Sequence, residues 1–256
     1  MPKLNQKDEQ KLSIFGQSDV GMRCLINSDC IEFDLTKGIA ILTDGLEQTE
    51  AGRISAKLAA KSVLEGLQSD SFTNDLSNSS EDQLLNAIDK LISKTNQVLI
   101  DASKAMGGRN HMRTTIVSIL IQDSKIFIGH VGDSRVYLLR NNILKRLTRD
   151  HSLVHDLIFQ GVYHQRKQKS SGIDSVTRTL GSKSNIEIAT LTHEIRPGDR
   201  LLLCSDGLSD MLTDKEIEEI SNTEMRDPKK MTKNLIKFAN RRGGRDNISV
   251  ILVQIP

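Results

Sequence analysis

Three aspartates stand where the chain can bring carboxylates together: Asp44, Asp206 and Asp246. Asp206 follows Arg200-Leu-Leu-Leu-Cys-Ser205, an apolar run of strand length, and is itself followed by Gly207. Asp44-Gly45 ends a second such run, Gly38-Ile-Ala-Ile-Leu-Thr43, and Asp246 precedes a third, Ile248 to Ile255. A carboxylate at the end of an apolar strand is costly to desolvate unless a cation or hydrogen bonds meet it. The glycine after Asp44 and after Asp206 lets the backbone turn sharply and come close to whatever the acid binds. Three strand-anchored carboxylates therefore suggest a site for a hard cation. Any one Asp-Gly taken alone would serve equally well as a plain turn.

The elements that must position these acids follow from periodicity. Leu12 to Gln17 reads as a first strand and Ser18-Asp-Val-Gly21 as a polar turn. Ala51, Ile54, Leu58, Val63 and Leu67 recur at helical spacing. The polar stretch Ser69 to Ser80 reads as a loop, and Ser80 with Gln83 forms a capping box for a long helix to about Ala105. Strands are expected at Thr114 to Ile121, Lys125 to Val131, Arg135 to Leu139, Ile143 to Leu147, Ile186 to His193 and Arg200 to Ser205. A short helix is expected from Asp150 to Gly161, and a basic, Gly/Ser-punctuated flap at about 156–176. Thr213 with Glu216, then Asp227-Pro228, open two more helices. Strands and two helices, repeated once without strict βαβ alternation, predict an α+β fold: a four-layer α-β-β-α sandwich of two mainly antiparallel sheets with helices outside.

Composition excludes some classes of function. The 256 residues suffice for one large domain or two small ones; residues 1–11 read as a flexible tail and 12–256 as a single domain. With 35 Lys and Arg against 33 Asp and Glu, net charge gives no argument for nucleic acid. No apolar run approaches the roughly 20 residues of a membrane span, and the polar N-terminus lacks the apolar centre of a secretory signal. Cys24, Cys30 and Cys204 cannot all pair with one another and lack zinc spacing, so a reducing, cytoplasmic setting is expected.

The ordered set Ser18-Asp-x-Gly21, Asn27-x-Asp29, Asp44-Gly45, Thr114-Thr115, Gly132-Asp-Ser-Arg135, Asp150-His-Ser152, Asp206-Gly-Leu208 and Gly243-Gly-x-Asp-Asn247 resembles the metal-dependent Ser/Thr protein phosphatases of the PPM type, in their compact bacterial form. The match runs over roughly residues 12 to 255. The resemblance implies two Mn²⁺ or Mg²⁺ ions between the sheets. Asp44 would bridge them, Asp206 and Asp246 would hold the first, and the Gly45 carbonyl would help hold the second. Asp29 would orient the attacking water, and Asp133, shared with Asp206, would serve a third, weaker site. It also implies phosphorylated protein substrates, made by a Ser/Thr kinase, and a monomer. Such chemistry suits carboxylate and carbonyl ligands and needs no covalent nucleophile.

Departures from that pattern are specific. The family's Arg position falls on Cys24, with Arg23 one residue early, and its Glu position falls on Ser28. If this segment is a strand, one residue of shift turns Arg23 to the other face. Arg23 is nevertheless the candidate phosphate ligand. Glu47 adds an acid beside Gly45, and Arg113 replaces the glycine before Thr114. The alternative is a degenerate relative that binds metal or phosphoprotein with little turnover. Several residues also have plainer readings: Thr114-Thr115 as β-packing, Asp150 or Ser152 as a helix cap, and Asp133 as a partner of loop amides. His151 and His155 stand four apart as two zinc ligands could, but lack the third that a zinc site needs, and Arg166-Lys-Gln-Lys169 reads as a solvated basic run that could also meet an acidic phosphosubstrate. The cysteines read as small buried hydrophobes, with redox sensitivity a lesser alternative.

Overall fold

Alternation along the apolar strands decides the layering. In β3 (Ile39–Asp44), Ile39 and Ile41 pack in one buried cluster while Ala40 and Leu42 pack in another. In β9 (Arg200–Cys204), Leu201 and Leu203 share the cluster of Ala40 and Leu42, and Leu202 and Cys204 face a third. A strand covered on both faces reads as a continuous apolar run, and successive side chains go to opposite layers. The central cluster is thus the seam between two sheets, and the outer two lie under helices. A Leu42→Ala change at the seam would cost about 2–5 kcal/mol.

The chain is seen here as a computed structural model that describes residues 12–46, 48–69, 72, 79–108, 112–152, 176–223 and 227–256. The tail 1–11, Glu47, His155, the basic run 166–169 and nearly all of the flap and of the helix expected from Asp150 lie outside those residues. One sheet orders β1 (Ser13–Asp19), β10 (Ile248–Gln254), β9, β6 (Arg135–Arg140) and β7 (Ile143–Arg146). The other orders β2 (Asp29–Asp34), β3, β4 (Ile116–Gln122), β5 (Lys125–Val131) and β8 (Ala189–Glu194). Every pairing is antiparallel. Helices α1 (Glu50–Gln68) and α2 (Glu81–Ala105) cover the second sheet through Ala59, Val63, Leu84, Ile88 and Ile92. The single turn α3 (Asp206–Ser209) with α4 (Asp214–Thr223) and α5 (Pro228–Arg241) covers the first. The architecture is the α-β-β-α sandwich that the element order predicts.

Local signals place most boundaries. Ser80 and Gln83 close the capping box of α2, Thr213 and Glu216 exchange hydrogen bonds ahead of α4, and Asp227 caps α5 with Pro228 behind it. β2 is not expected from the sequence: Asp29-Cys-Ile-Glu-Phe-Asp34 is an edge strand with polar residues on its outer side, so it carries no apolar run. Asp206-Gly207 opens a helical turn rather than a plain bend. Register then gathers the site. Asp29 lies opposite Asp44, Ile116 opposite Val131, and Cys204 is flanked by Arg135 and Val250. One end of the sandwich therefore holds the end of β3, the β5–β6 turn, the end of β9 and the start of β10.

Candidate active site

Asp44 lies two residues beyond Leu42 and shares its face, so its side chain enters the gap between the sheets. Its backbone is clamped by the Thr114-Thr115 pair. The Asp44 carbonyl accepts from the Thr115 amide and the Thr114 hydroxyl, both at 2.8 Å, and its amide donates to Thr115 Oγ1 at 3.2 Å. The Gly45 amide donates to the Ser28 carbonyl at 3.1 Å. A Cβ at Gly45 would lie 2.1 Å from the Gly52 carbonyl oxygen in α1, so only glycine fits. Asp29, two residues before Ile31 on β2, enters the same gap.

The first sheet supplies the opposing groups. Ser205 Oγ donates to Asp29 Oδ2 at 2.8 Å and accepts from the Ser249 amide at 2.9 Å. Asp206 opens α3, and the residue after it must be small: a Cβ at Gly207 would lie 1.9 Å from the Asn247 carbonyl oxygen. Asp246 Oδ1 accepts from the Asn247 amide at 2.7 Å and from Gln48 Nε2 at 3.4 Å. Asn247 pins the 20–28 loop: its Oδ1 accepts from the Ser28 amide at 2.7 Å, and its Nδ2 donates to the carbonyls of Val20 and Ile26. Beside Asp133, Ser134 Oγ bonds Thr115 Oγ1 at 2.9 Å. The helix that Asp150 or Ser152 is expected to cap lies outside the described residues. Asp150 takes Arg135 in a two-pronged pair at 2.6 and 3.0 Å, with Arg146 at 3.4 Å.

Asp44, Gly45, Asp133, Asp206 and Asp246 line one cleft of about 380 Å³, together with Gln48, Thr115 and Val176. Asp29 stands opposite Asp44 in register without lining the cleft. Arg23 is not brought in. It sits exposed on the 21–23 turn, which is not a strand, so the facing argument from strand register does not apply. Among the described residues it makes no hydrogen bond or ion pair. Cys24 beside it is buried, its Sγ 3.7 Å from Asp246 Oδ1. A larger cavity of about 460 Å³ lies between α4 and α5, but its two acids, Glu216 and Glu219, are each paired with a cation, Arg242 and Lys215.

The cleft is a cluster of acids that repel one another. Burial holds Asp44 well above the ordinary carboxylate range, reinforced by Asp29, Asp206, Asp133 and Asp246. Asp206 is raised likewise by burial and by Asp133, Asp210 and Asp246. Burial lifts Asp133 to about 7, with Asp150 adding to it. Burial also lifts Asp29 to about 6, against the pull of hydrogen bonds from Ser249 and Ser205. One oxygen on each of Asp29, Asp133 and Asp206 is shielded from solvent and has no hydrogen-bond partner among the described residues. A hard divalent cation supplies what these oxygens lack and reverses the sense of the repulsion. Among the described residues no three acid, His or Cys side chains stand in a closed coordination cage. The donor set accordingly fits an ion that keeps several of its own waters, as Mg²⁺ does. Burial pushes the Cys24 and Cys30 thiols up to about 11 and Cys204 to about 12, which keeps all three protonated and counts against redox sensing.

Residues 24–252 match the family model for protein phosphatase 2C. The chain belongs to the protein phosphatase 2C family. The serine/threonine phosphatase stp of Listeria monocytogenes is 34% identical to it over 223 residues, 84% of each chain. The protein phosphatase PhpP of Streptococcus pneumoniae is 30% identical over 243 residues, 93% of this chain and 95% of its own. Among solved structures, the serine/threonine phosphatase of S. agalactiae superposes with a TM-score of 0.86 at 28% identity, covering 96% of this chain and all 100% of its own. The catalytic domain of PstP in complex with two manganese ions gives 0.78 at 27% identity, covering 96% and 99%. The present family member is a protein-serine/threonine phosphatase, and these relatives favour turnover over the degenerate binding module. Sequence reasoning missed the part that four residues play in holding this phosphatase's site together: Ser205, Asn247, and Thr114 with Thr115 as a clamp. Their types are common, and only their partners across the sheets mark them.

Proposed function

We propose that the acid-lined cleft is the centre at which this phosphatase hydrolyses phosphoserine and phosphothreonine in proteins. The observation that carries the assignment is the set of unpartnered, shielded oxygens on Asp29, Asp133 and Asp206 within a cluster of raised carboxylates. Asp44 would be shared between two Mn²⁺ or Mg²⁺ ions, Asp206 and Asp246 would hold the first, and the Gly45 carbonyl would help hold the second. Asp133 with Asp206 suits a weaker third. Bound there, such a pair of ions lowers the pKa of water and neutralises phosphoryl oxygens during in-line displacement.

The chain's own residues do the rest. Asp29, fixed at one oxygen by Ser205, orients the attacking water and accepts its proton. The Thr114-Thr115 clamp holds the Asp44 carbonyl and amide, so the bridging carboxylate cannot swing away. Arg23 works from the rim, attracting phosphate without gripping it. The substrate class implies an opposing Ser/Thr kinase, and the three free cysteines fit action in the cytoplasm, with residues 12–256 as one monomeric domain. Among the described residues no helix is long and apolar enough to cross a membrane.

Calorimetric titration of Mn²⁺ into the metal-free protein tests the assignment. The wild type is expected to bind at least two ions, and Asp206→Asn to lose the tighter one. Equal binding by both proteins would remove Asp206 from the centre.

A further inference from the structure

The outer face of α5 carries a row of cations with nothing to neutralise it. Residues 228–245 hold seven of the chain's 35 Lys and Arg and none of its 33 acids, so the remainder of the chain is net acidic. Lys229, Lys233, Lys237 and Arg241 recur every fourth residue and form one ridge, all four exposed. Among the described residues no carboxylate pairs with any of them. Two of them lie over rings: Lys229 over Phe15 at 5.8 Å and Arg241 over Phe238 at 5.7 Å.

The arrangement works against the helix that bears it. Like charges four apart repel, and a cation in the first turn opposes the positive end of the helix dipole. No acid stands in that first turn. Asp227 caps the helix N-terminus, but among the described residues no acid relieves the repulsion along the ridge, and a local rule left so broken points to a role outside the fold. The ridge also leads to the cleft. After Arg241 the chain turns through Gly243-Gly244, where the Gly244 carbonyl accepts from the Met22 amide at 2.8 Å, and arrives at Asp246. Asp246 is the fifth residue after Arg241, a reach of at most about 18 Å.

We propose that this ridge docks an acidic segment of the phosphoprotein substrate, a few residues away from the phosphorylated side chain; the inference rests on the cleft being the catalytic centre. The four cations span about 18 Å of helix, the length of five or six extended residues. Charge complementarity selects an acidic tract, and the shared path to Asp246 selects the substrate as the chain that carries it. Exposed charge contacts of this kind raise the rate of encounter and are weakened by salt.

The test compares wild type with the triple variant Lys229→Glu/Lys233→Glu/Lys237→Glu, whose first new acid suits the helix N-terminus. The neutral triple Gln variant guards against misfolding of the first. Each is assayed with Mn²⁺ on p-nitrophenyl phosphate, on a phosphothreonine peptide with neutral flanks, and on the same peptide with a five-residue Asp/Glu tract. Wild type is expected to prefer the acidic peptide by about ten-fold in kcat/KM at low salt and to lose the preference at high salt. Both variants are expected to lose it too, while p-nitrophenyl phosphate hydrolysis stays unchanged. Equal use of the two peptides by wild type, or a parallel loss on all substrates, would overturn the proposal. Retention on anionic phosphatidylserine vesicles without any peptide preference would assign the ridge to a membrane and overturn it as well. Fluorescence anisotropy with the unphosphorylated acidic peptide separates the two readings, because binding lost in the variants supports docking even if hydrolysis fails.

Discussion

Ser205 Oγ, carried by one sheet, donates to Asp29 Oδ2 of the other at 2.8 Å and at the same time accepts the Ser249 amide at 2.9 Å. This one hydroxyl joins the two halves of the sandwich at the end where the acids gather. Ser205→Ala leaves the Ser249 amide unpaired and should lower stability by about 1–3 kcal/mol. With the Ser205 bond to Asp29 gone, kcat should fall about ten-fold while KM moves little if Asp29 handles the proton rather than the phosphate. Urea unfolding and steady-state kinetics on the variant check both, and an unchanged kcat would release Asp29 from its role.

Without metal the site should make stability fall as pH rises. Asp29 and Asp133 are lifted to about 6 and about 7 in the fold, above the ordinary range of an unfolded aspartate. A group raised on folding contributes most below its unfolded pKa and loses that contribution as pH rises through its folded value. Thermal unfolding in chelator should therefore show Tm falling between pH 5 and about 7.5. Saturating Mn²⁺ should flatten or reverse the trend and raise stability by about 2.7 kcal/mol at a hundred times Kd. A metal-free Tm that climbs over this window would contradict the acid-cluster electrostatics.

The acids that carry this chemistry were legible because each ends or begins a continuous apolar run: Asp44 after Ile39 to Leu42, Asp206 after Leu201 to Leu203, Asp246 before Ile248. The layering was legible for the same reason, since strands buried on both faces advertise themselves. What the sequence hides is what depends on a partner far along the chain. β2 is a polar edge strand, made a strand by β3 alone. Asn247 looks like any turn asparagine, yet it ties three points of the 20–28 loop. Nothing near Asp150 in the sequence announces that Arg135, fifteen residues earlier, lies against it. Arg23 takes its position from a turn whose shape depends on Gly244 and Asn247, neither of which is near it in sequence.

Asp206→Asn separates catalysis from stability. Removing one charge from the cluster relieves repulsion, so the metal-free variant should be more stable than wild type at pH 7.5, by about 1 kcal/mol. Turnover should nevertheless fall by about 10³-fold, because the charge that balances the cation is gone. Paired measurement of Tm in chelator and kcat in Mn²⁺ gives the answer. A variant that loses stability and activity together would indicate a damaged fold instead.

Arg23 is exposed and pairs with nothing among the described residues, so its contribution should be that of a rim charge. Arg23→Ala should raise KM for a phosphopeptide about two- to three-fold, with the effect shrinking at high salt. A rise of ten-fold or more, insensitive to salt, would instead show a two-pronged grip on the phosphate. KM measured at low and high ionic strength separates the two.

The central claim is that the cleft of Asp44, Asp206 and Asp246 hydrolyses phosphoprotein by means of divalent metal. Its most direct test is phosphate release from a phosphothreonine peptide by the purified, metal-stripped protein as Mn²⁺ is titrated in, with Asp246→Asn alongside. Release that is absent in chelator, restored by Mn²⁺ and lost in the folded Asp246→Asn protein is the expected result. Release that persists in chelator, or that survives in Asp246→Asn at the wild-type rate, would contradict the account.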